Sequence, residues 1–264
     1  MYKIPVDTHT HSSTLADRFH CTYEQLWERA GQLGLTGLGV TDHIHNNLAN
    51  KPDAESFIFH HSHILCLNLL QREKHGVKLY RGAEIDIINK EGDLCGSNIE
   101  NDFFNYDGTL VDLILSKLDY AIASVHTYTM NEDVSAISAK EGTAMYINAM
   151  QHPKVLILGH IGRGGINYEL REVVKAVKEL GKTIEINEGD SIKTPDTIRK
   201  IANYCAETGT MVSIGSDSHG VGRLGLFTST LPILEEISFP LELIVNRDME
   251  SFESFIGFKE QVEG

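Results

Sequence analysis

The sequence predicts an α/β fold, a distorted seven-stranded (β/α)7 barrel of the TIM-like kind. Three observations lead there. Short apolar runs of strand length alternate with longer amphipathic stretches along the whole chain, the pattern of repeated βα units. The length of 264 residues, with 41% hydrophobic and 23% charged, suits one barrel with a sizeable core. His, Asp or Glu stands just past six of the seven apolar runs, and in such a barrel functional groups gather at the C-terminal ends of the strands.

The elements follow in order. Strands are expected at 2–6, 37–40, 78–81 running on into Glu84, 120–125, 155–159, 183–186 and 211–215. Helices are expected between them at 23–33, 54–73, 107–115, 136–150, 168–180 and 195–207, with a last one at 249–256. Gly34, Gly76, Gly181 and Gly209 are placed as helix stops, because glycine adopts the left-handed conformation that ends a helix. The stretch from Asn89 to Asp93 reads as a tight turn opening a small hairpin after the third strand. No low-complexity linker or repeat divides the chain, so residues 1–264 are expected to form a single domain.

Composition narrows the partners. The longest apolar run, 156–161, is too short to span a bilayer, and no basic segment leads into a signal-type stretch at the start. A cytoplasmic protein is expected, without membrane association. Cys21, Cys66, Cys95 and Cys205 are scattered without a C-x-x-C pair and read as reduced thiols. With 37 acidic against 23 basic residues the net charge is −14, which repels a polyanion in the absence of a basic patch, so no nucleic acid is expected as partner. Nothing in the sequence dictates an oligomeric state.

The 13 histidines are many, and several stand beside carboxylates. The first strand leads into Asp7, His9 and His11, the second into Asp42 and His43, the third into Glu84, the fourth into His126, the fifth into His160, the sixth into Glu185 and Asn187, the seventh into Asp217 and His219. His9 and His11 are two apart, so on extended backbone both point to one face and can grip one ion. Imidazole with carboxylate is the donor set of zinc, manganese or iron, whereas calcium and magnesium favour oxygen alone. A lone strand-end histidine is more often structural than ligating, but a set this uniform is not a product of packing. His60, His61 and His63 lie inside a predicted helix and read as a solvated or packing face.

The motifs D-x-H-x-H, T-D-H, G-x-E, valine-histidine, G-H and G-S-D-S-H resemble those of the polymerase-and-histidinol-phosphatase (PHP) superfamily over nearly the whole chain. The likeness is greatest to the YcdX-type trinuclear zinc phosphatases and histidinol-phosphatase-like members. That resemblance implies three divalent ions, zinc before manganese or iron. It implies His9, His11, Glu84 and Asp217 on the first, Glu84, His126 and His160 on the second with Glu84 bridging, and Asp17, His43 and His219 on the third. Asp17 replaces the histidine of the YcdX-type enzymes. Six neutral imidazoles and three carboxylates around three divalent ions leave a local excess of about +3, which attracts phosphate despite the acidic chain.

The expected function is hydrolysis of small phosphate monoesters, histidinol phosphate among them, by a hydroxide bridging two ions roughly 3.5–4 Å apart that attacks phosphorus in line. Glu84, Asp217, His219 and Asp17 are the expected catalytic groups, with His219 or Asp17 as proton donor to the leaving oxygen. Arg18, Arg163 and Arg223 each follow a ligand segment and are candidates for contact with a small phosphorylated substrate. Asp7 and Asp42 either orient imidazoles or serve as turn and cap residues. His20 and His45 flank the third ion's position and are expected to line its mouth rather than to ligate. Rival readings are an exonuclease or phosphodiesterase acting on nucleotides, disfavoured by charge, an amidohydrolase, disfavoured because Glu84 stands at the bridging position, and a degenerate binding module.

Overall fold

The computed structural model describes residues 2–12, 21–45, 54–101 and 105–259. The expected positions Asp17, Arg18 and His20 lie outside the described residues. Nine strands are described: β1 (Val6–Thr10), β2 (Gly37–Val40), β3 (His43–Ile44), β4 (Glu73–Lys74), β5 (Val77–Asp86), β6 (Tyr120–Ser124), β7 (Val155–Leu158), β8 (Thr183–Asn187) and β9 (Val212–Gly215). Seven of them run in parallel in the order β1-β2-β5-β6-β7-β8-β9, while β3 and β4 pair with β5 from outside that path. The sheet nearly closes on itself, because Thr10 bridges Ser218, Asp217 N donates to His9 O at 2.8 Å and His11 N to Ser218 O at 2.8 Å. The seven-stranded barrel is therefore the expected one.

The described helices are α1 (Tyr23–Leu33), α2 (Ala54–Cys66), α3 (Leu110–Ser116), α4 (Ala139–Ala149), α5 (Leu170–Glu179), α6 (Glu188–Lys193), α7 (Pro195–Thr208), α8 (Thr230–Glu236) and α9 (Met249–Ile256). Several depart from the expected bounds. Helices α3 and α4 begin at 110 and 139 instead of 107 and 136, because Thr109 with Asp112 and Ser138 with Glu141 form capping boxes that satisfy the free N–H groups there. Helix α5 begins at 170 and not at 168. Helix α2 stops at Cys66 and not at residue 73, since Glu73 and Lys74 pair antiparallel with β5. His75 and Gly76, both at positive φ (53° and 72°), close that hairpin, so Gly76 is a turn residue and not a helix stop. The helices α6 and α8 were not expected.

The first strand spans Val6–Thr10 and not 2–6. Its hydrophobic signal ends at Val6 because the following positions, Asp7 to Thr10, carry polar residues, all buried. The turn from Asn89 to Asp93 is as expected: Gly92 N donates to Asn89 O at 3.1 Å, and Ile87 bridges Leu94 antiparallel.

One apolar core lies between the helices and the outer faces of the strands. A second fills the floor of the barrel, where Tyr80, Tyr120, Ile122 and Ile157 meet Phe252 and Ile256 of α9. Phe252 sits edge-on to Tyr80 and Tyr120, with ring centroids 4.9 and 5.5 Å away. Tyr120 Oη donates to Thr8 O at 2.6 Å, and a β-carbon at residue 39 would lie 2.0 Å from that oxygen, so only glycine fits there. Among the described residues no helix is long and apolar enough to cross a membrane.

Candidate metal centre

Six of the described strands deliver a polar group to the same end of the barrel. His9 stands in β1 and His11 one residue beyond it, His43 in β3, Glu84 in β5, and His126, His160, Asp217 and His219 just past β6, β7 and β9. Glu84 is fully buried at the centre. Its Oε1 lies 2.6 Å from His160 Nε2 and 3.8 Å from His126 Nε2. Its Oε2 lies 2.9 Å from His43 Nδ1, 3.3 Å from His9 Nε2 and 3.5 Å from His11 Nε2. Asp217 Oδ1 closes the group, 3.1 Å from His11 Nε2 and 3.6 Å from His9 Nε2.

Two of the expected ligand sets are thus brought together, with donor atoms within 4.8 Å of one another: His9, His11, Glu84 and Asp217, and Glu84, His126 and His160. His43 and His219 also converge, their Nε2 atoms 3.3 Å apart, and His11 joins them to form a third set. Asp17, expected there, lies outside the described residues.

The donor set fits a cation on two grounds. The buried atoms His9 Nε2 and Glu84 Oε2 make no hydrogen bond among the described residues, a costly state that an ion between them would relieve. The charge balance points the same way. Burial opposes charge on His9, yet Glu185, Glu84 and Asp217 raise its pKa well above the usual imidazole value. Burial also opposes charge on Glu84 and Asp217, but the surrounding imidazoles hold both well below the usual carboxylate range. The carboxylates thus demand positive charge at the centre. Burial meanwhile lowers His11 to about 4 and His43 to about 3, so both rings are neutral at pH 7 and offer a lone pair.

Two candidate ligands have backbones in the left-handed region, His160 at φ 26° and Asp217 at φ 51°. Such residues cost about 1–3 kcal/mol and persist where neighbours hold them. Here Glu185 Oε2 accepts from His160 N at 2.9 Å, and His9 O accepts from Asp217 N at 2.8 Å.

The surrounding residues are less as expected. Asp7 accepts from the backbone N of Ser216 and Gly225, and Asp42 from Ser12 N, Ser12 Oγ and Tyr23 Oη, so both brace loops, and neither bonds an imidazole among the described residues. The carboxylates that do are Glu185, at 2.8 Å from His9 Nδ1, and Asp86, at 2.8 Å from His126 Nδ1 and 3.1 Å from His45 Nδ1. Asp86 had a legible signal: it lies two residues after Glu84 on a strand, hence on the same face. Asn187 ends β8 and caps α6, accepting from Gly189 N and Asp190 N. Arg163 is held by Asn187, Asp190 and Asp217. Arg223 is exposed, on the turn after His219. His61 packs on Phe57, and His60 is exposed and bonds Ser56 O.

Comparison with known proteins bears on this constellation. The model of the PHP domain family matches residues 7–189, well over half of the chain. The chain belongs to the PHP domain family. Similar PHP-domain relatives include a protein of Clostridium botulinum named a probable phosphatase, 32% identical, the match covering 92% of this chain and 90% of that one. Another, from Clostridium acetobutylicum and named likewise, is 28% identical over 97% of this chain and 96% of its own. Among solved structures, histidinol phosphate phosphatase from Lactococcus lactis, in complex with zinc, L-histidinol and phosphate, superposes with a TM-score of 0.57 at 18% identity, covering 89% of this chain and 94% of that one. That likeness is one of fold.

Proposed function

We propose that this PHP protein is a metal-dependent phosphatase of small phosphate monoesters. The observation that carries the reading is the convergence of two ligand sets on the single buried carboxylate Glu84. In it, His9, His11, Glu84 and Asp217 hold one divalent ion and Glu84, His126 and His160 a second, with zinc the first candidate. His43 and His219, with Asp17, hold a third. When bound, such ions supply Lewis acidity toward phosphoryl oxygens and lower the pKa of water toward neutrality.

The chain's own residues do the rest. Glu84 supplies one oxygen to each set, so its two oxygens fix how close the sets stand. With His11 and His43 neutral and few carboxylates among the candidate ligands, bound cations keep an excess that draws a phosphate dianion inward. Arg163 donates to Asp217. Arg163, Arg18 and Arg223, the last exposed after His219, are the candidates to meet phosphoryl oxygens. His219, whose side chain is 33% exposed, is the candidate to pass a proton to the leaving oxygen.

The relatives named phosphatases support a phosphomonoester over a nucleic acid, as does the net charge of −14. Release of inorganic phosphate from a panel of monoesters, histidinol phosphate included, tests it. Turnover of at least one monoester far faster than shortening of single-stranded DNA is expected; comparable or faster DNA hydrolysis would overturn the small-substrate reading.

A further inference from the structure

We propose that two buried carboxylates outside the ligand motifs, Glu185 and Asp86, are positioning residues that hold the imidazoles around Glu84 in the tautomer and orientation a metal ion requires. The proposal rests on the reading of the site as a metal centre. Both carboxylates are buried, at 1% and 0% exposure. Glu185 uses its two oxygens on two different ligand sets: Oε1 lies 2.8 Å from His9 Nδ1, and Oε2 accepts the backbone N–H of His160 at 2.9 Å. An ionised carboxylate only accepts, so the proton of the His9 ring sits on Nδ1. Nε2, 3.3 Å from Glu84 Oε2, is then the nitrogen that would give up its proton and offer its lone pair when an ion binds.

Asp86 repeats the arrangement from the other wall of the barrel. Its Oδ1 lies 2.8 Å from His126 Nδ1, while His126 Nε2 stands 3.8 Å from Glu84 Oε1. The same carboxylate also takes His45 Nδ1 at 3.1 Å, tying a mouth residue to a ligand. With the opposite tautomer, His9 and His126 would each turn an N–H toward the centre and lose a donor atom. A carboxylate behind the distal nitrogen prevents this and raises the basicity of the ring. The space for it is specifically reserved, since a β-carbon on residue 215 would lie 2.2 Å from Glu185 Oε1.

The test is zinc affinity, read by competition with a chromophoric chelator, on the full-length Glu185→Gln and Asp86→Asn variants alongside the unmodified protein. Each amide keeps one acceptor oxygen and turns an N–H donor toward a group that itself donates. Zinc binding about 10–100-fold weaker in variants with unchanged far-UV circular dichroism is expected, together with an altered visible spectrum of the cobalt-loaded form. Folded variants that hold zinc as tightly as the parent would overturn the proposal, and Asp86→Asn decides alone if Glu185→Gln does not fold. A parent protein that takes up no zinc would instead defeat the metal-centre reading itself.

Discussion

Gly215 shows how tightly single residues are fitted around the centre. A β-carbon there would meet Glu185 Oε1 at 2.2 Å and His9 Cβ at 2.6 Å, so Gly215→Ala must push apart the pair that aims His9 at Glu84. The expected outcome is a folded protein with at least about tenfold weaker zinc binding, the lower end of the effect of losing such a partner. Zinc retained in full by Gly215→Ala would mean that the pair can shift without cost. At this scale the sequence was informative about the ligands themselves. His, Asp and Glu at the ends of successive apolar runs have no packing explanation, and His9, His11, His126, His160 and Asp217 do meet at Glu84. It was less informative about what stands behind them. Asp7 and Asp42 precede ligands in sequence but bond backbone and hydroxyl groups, whereas Glu185 and Asp86 act from strands distant in sequence from their partners. Sequence neighbourhood predicts loop bracing; contacts across a barrel depend on the registration of strands.

The strands were legible wherever their inward side chains are apolar. The first strand was displaced because Asp7, Thr8, His9 and Thr10, polar though buried, read as loop. Helix starts were displaced toward the N-terminus because a polar capping box resembles amphipathic helix in composition, although the Thr109 and Asp112 pair carries its own spacing signature. The short helices α6 and α8 lack the length over which periodicity becomes visible. The terminal helix α9 was legible, but not its task as the plug of the barrel floor through Phe252. Phe252 is fully buried between Tyr80 and Tyr120, so Phe252→Ala should lower the unfolding free energy by about 3–5 kcal/mol. Urea denaturation measures this, and a loss under about 1 kcal/mol would show that the floor is not held by that ring.

At the scale of the molecule, an acidic chain of net charge −14 places its densest set of imidazoles at one end of a nearly closed parallel barrel. The barrel collects groups far apart in sequence, from His9 to His219, without any one segment having to fold around them. Buried carboxylates there hold His9 well above its usual pKa, a sign that the site is built for more positive charge than the chain supplies. The measurement that tests this most directly is metal content by elemental analysis, paired with phosphate release, on protein purified without chelator, then stripped and restored. Two or three equivalents of zinc, manganese or iron, activity lost on stripping and regained on restoring the metal, is the predicted result. Protein that binds no divalent ion and hydrolyses no phosphate ester before or after restoration would contradict it.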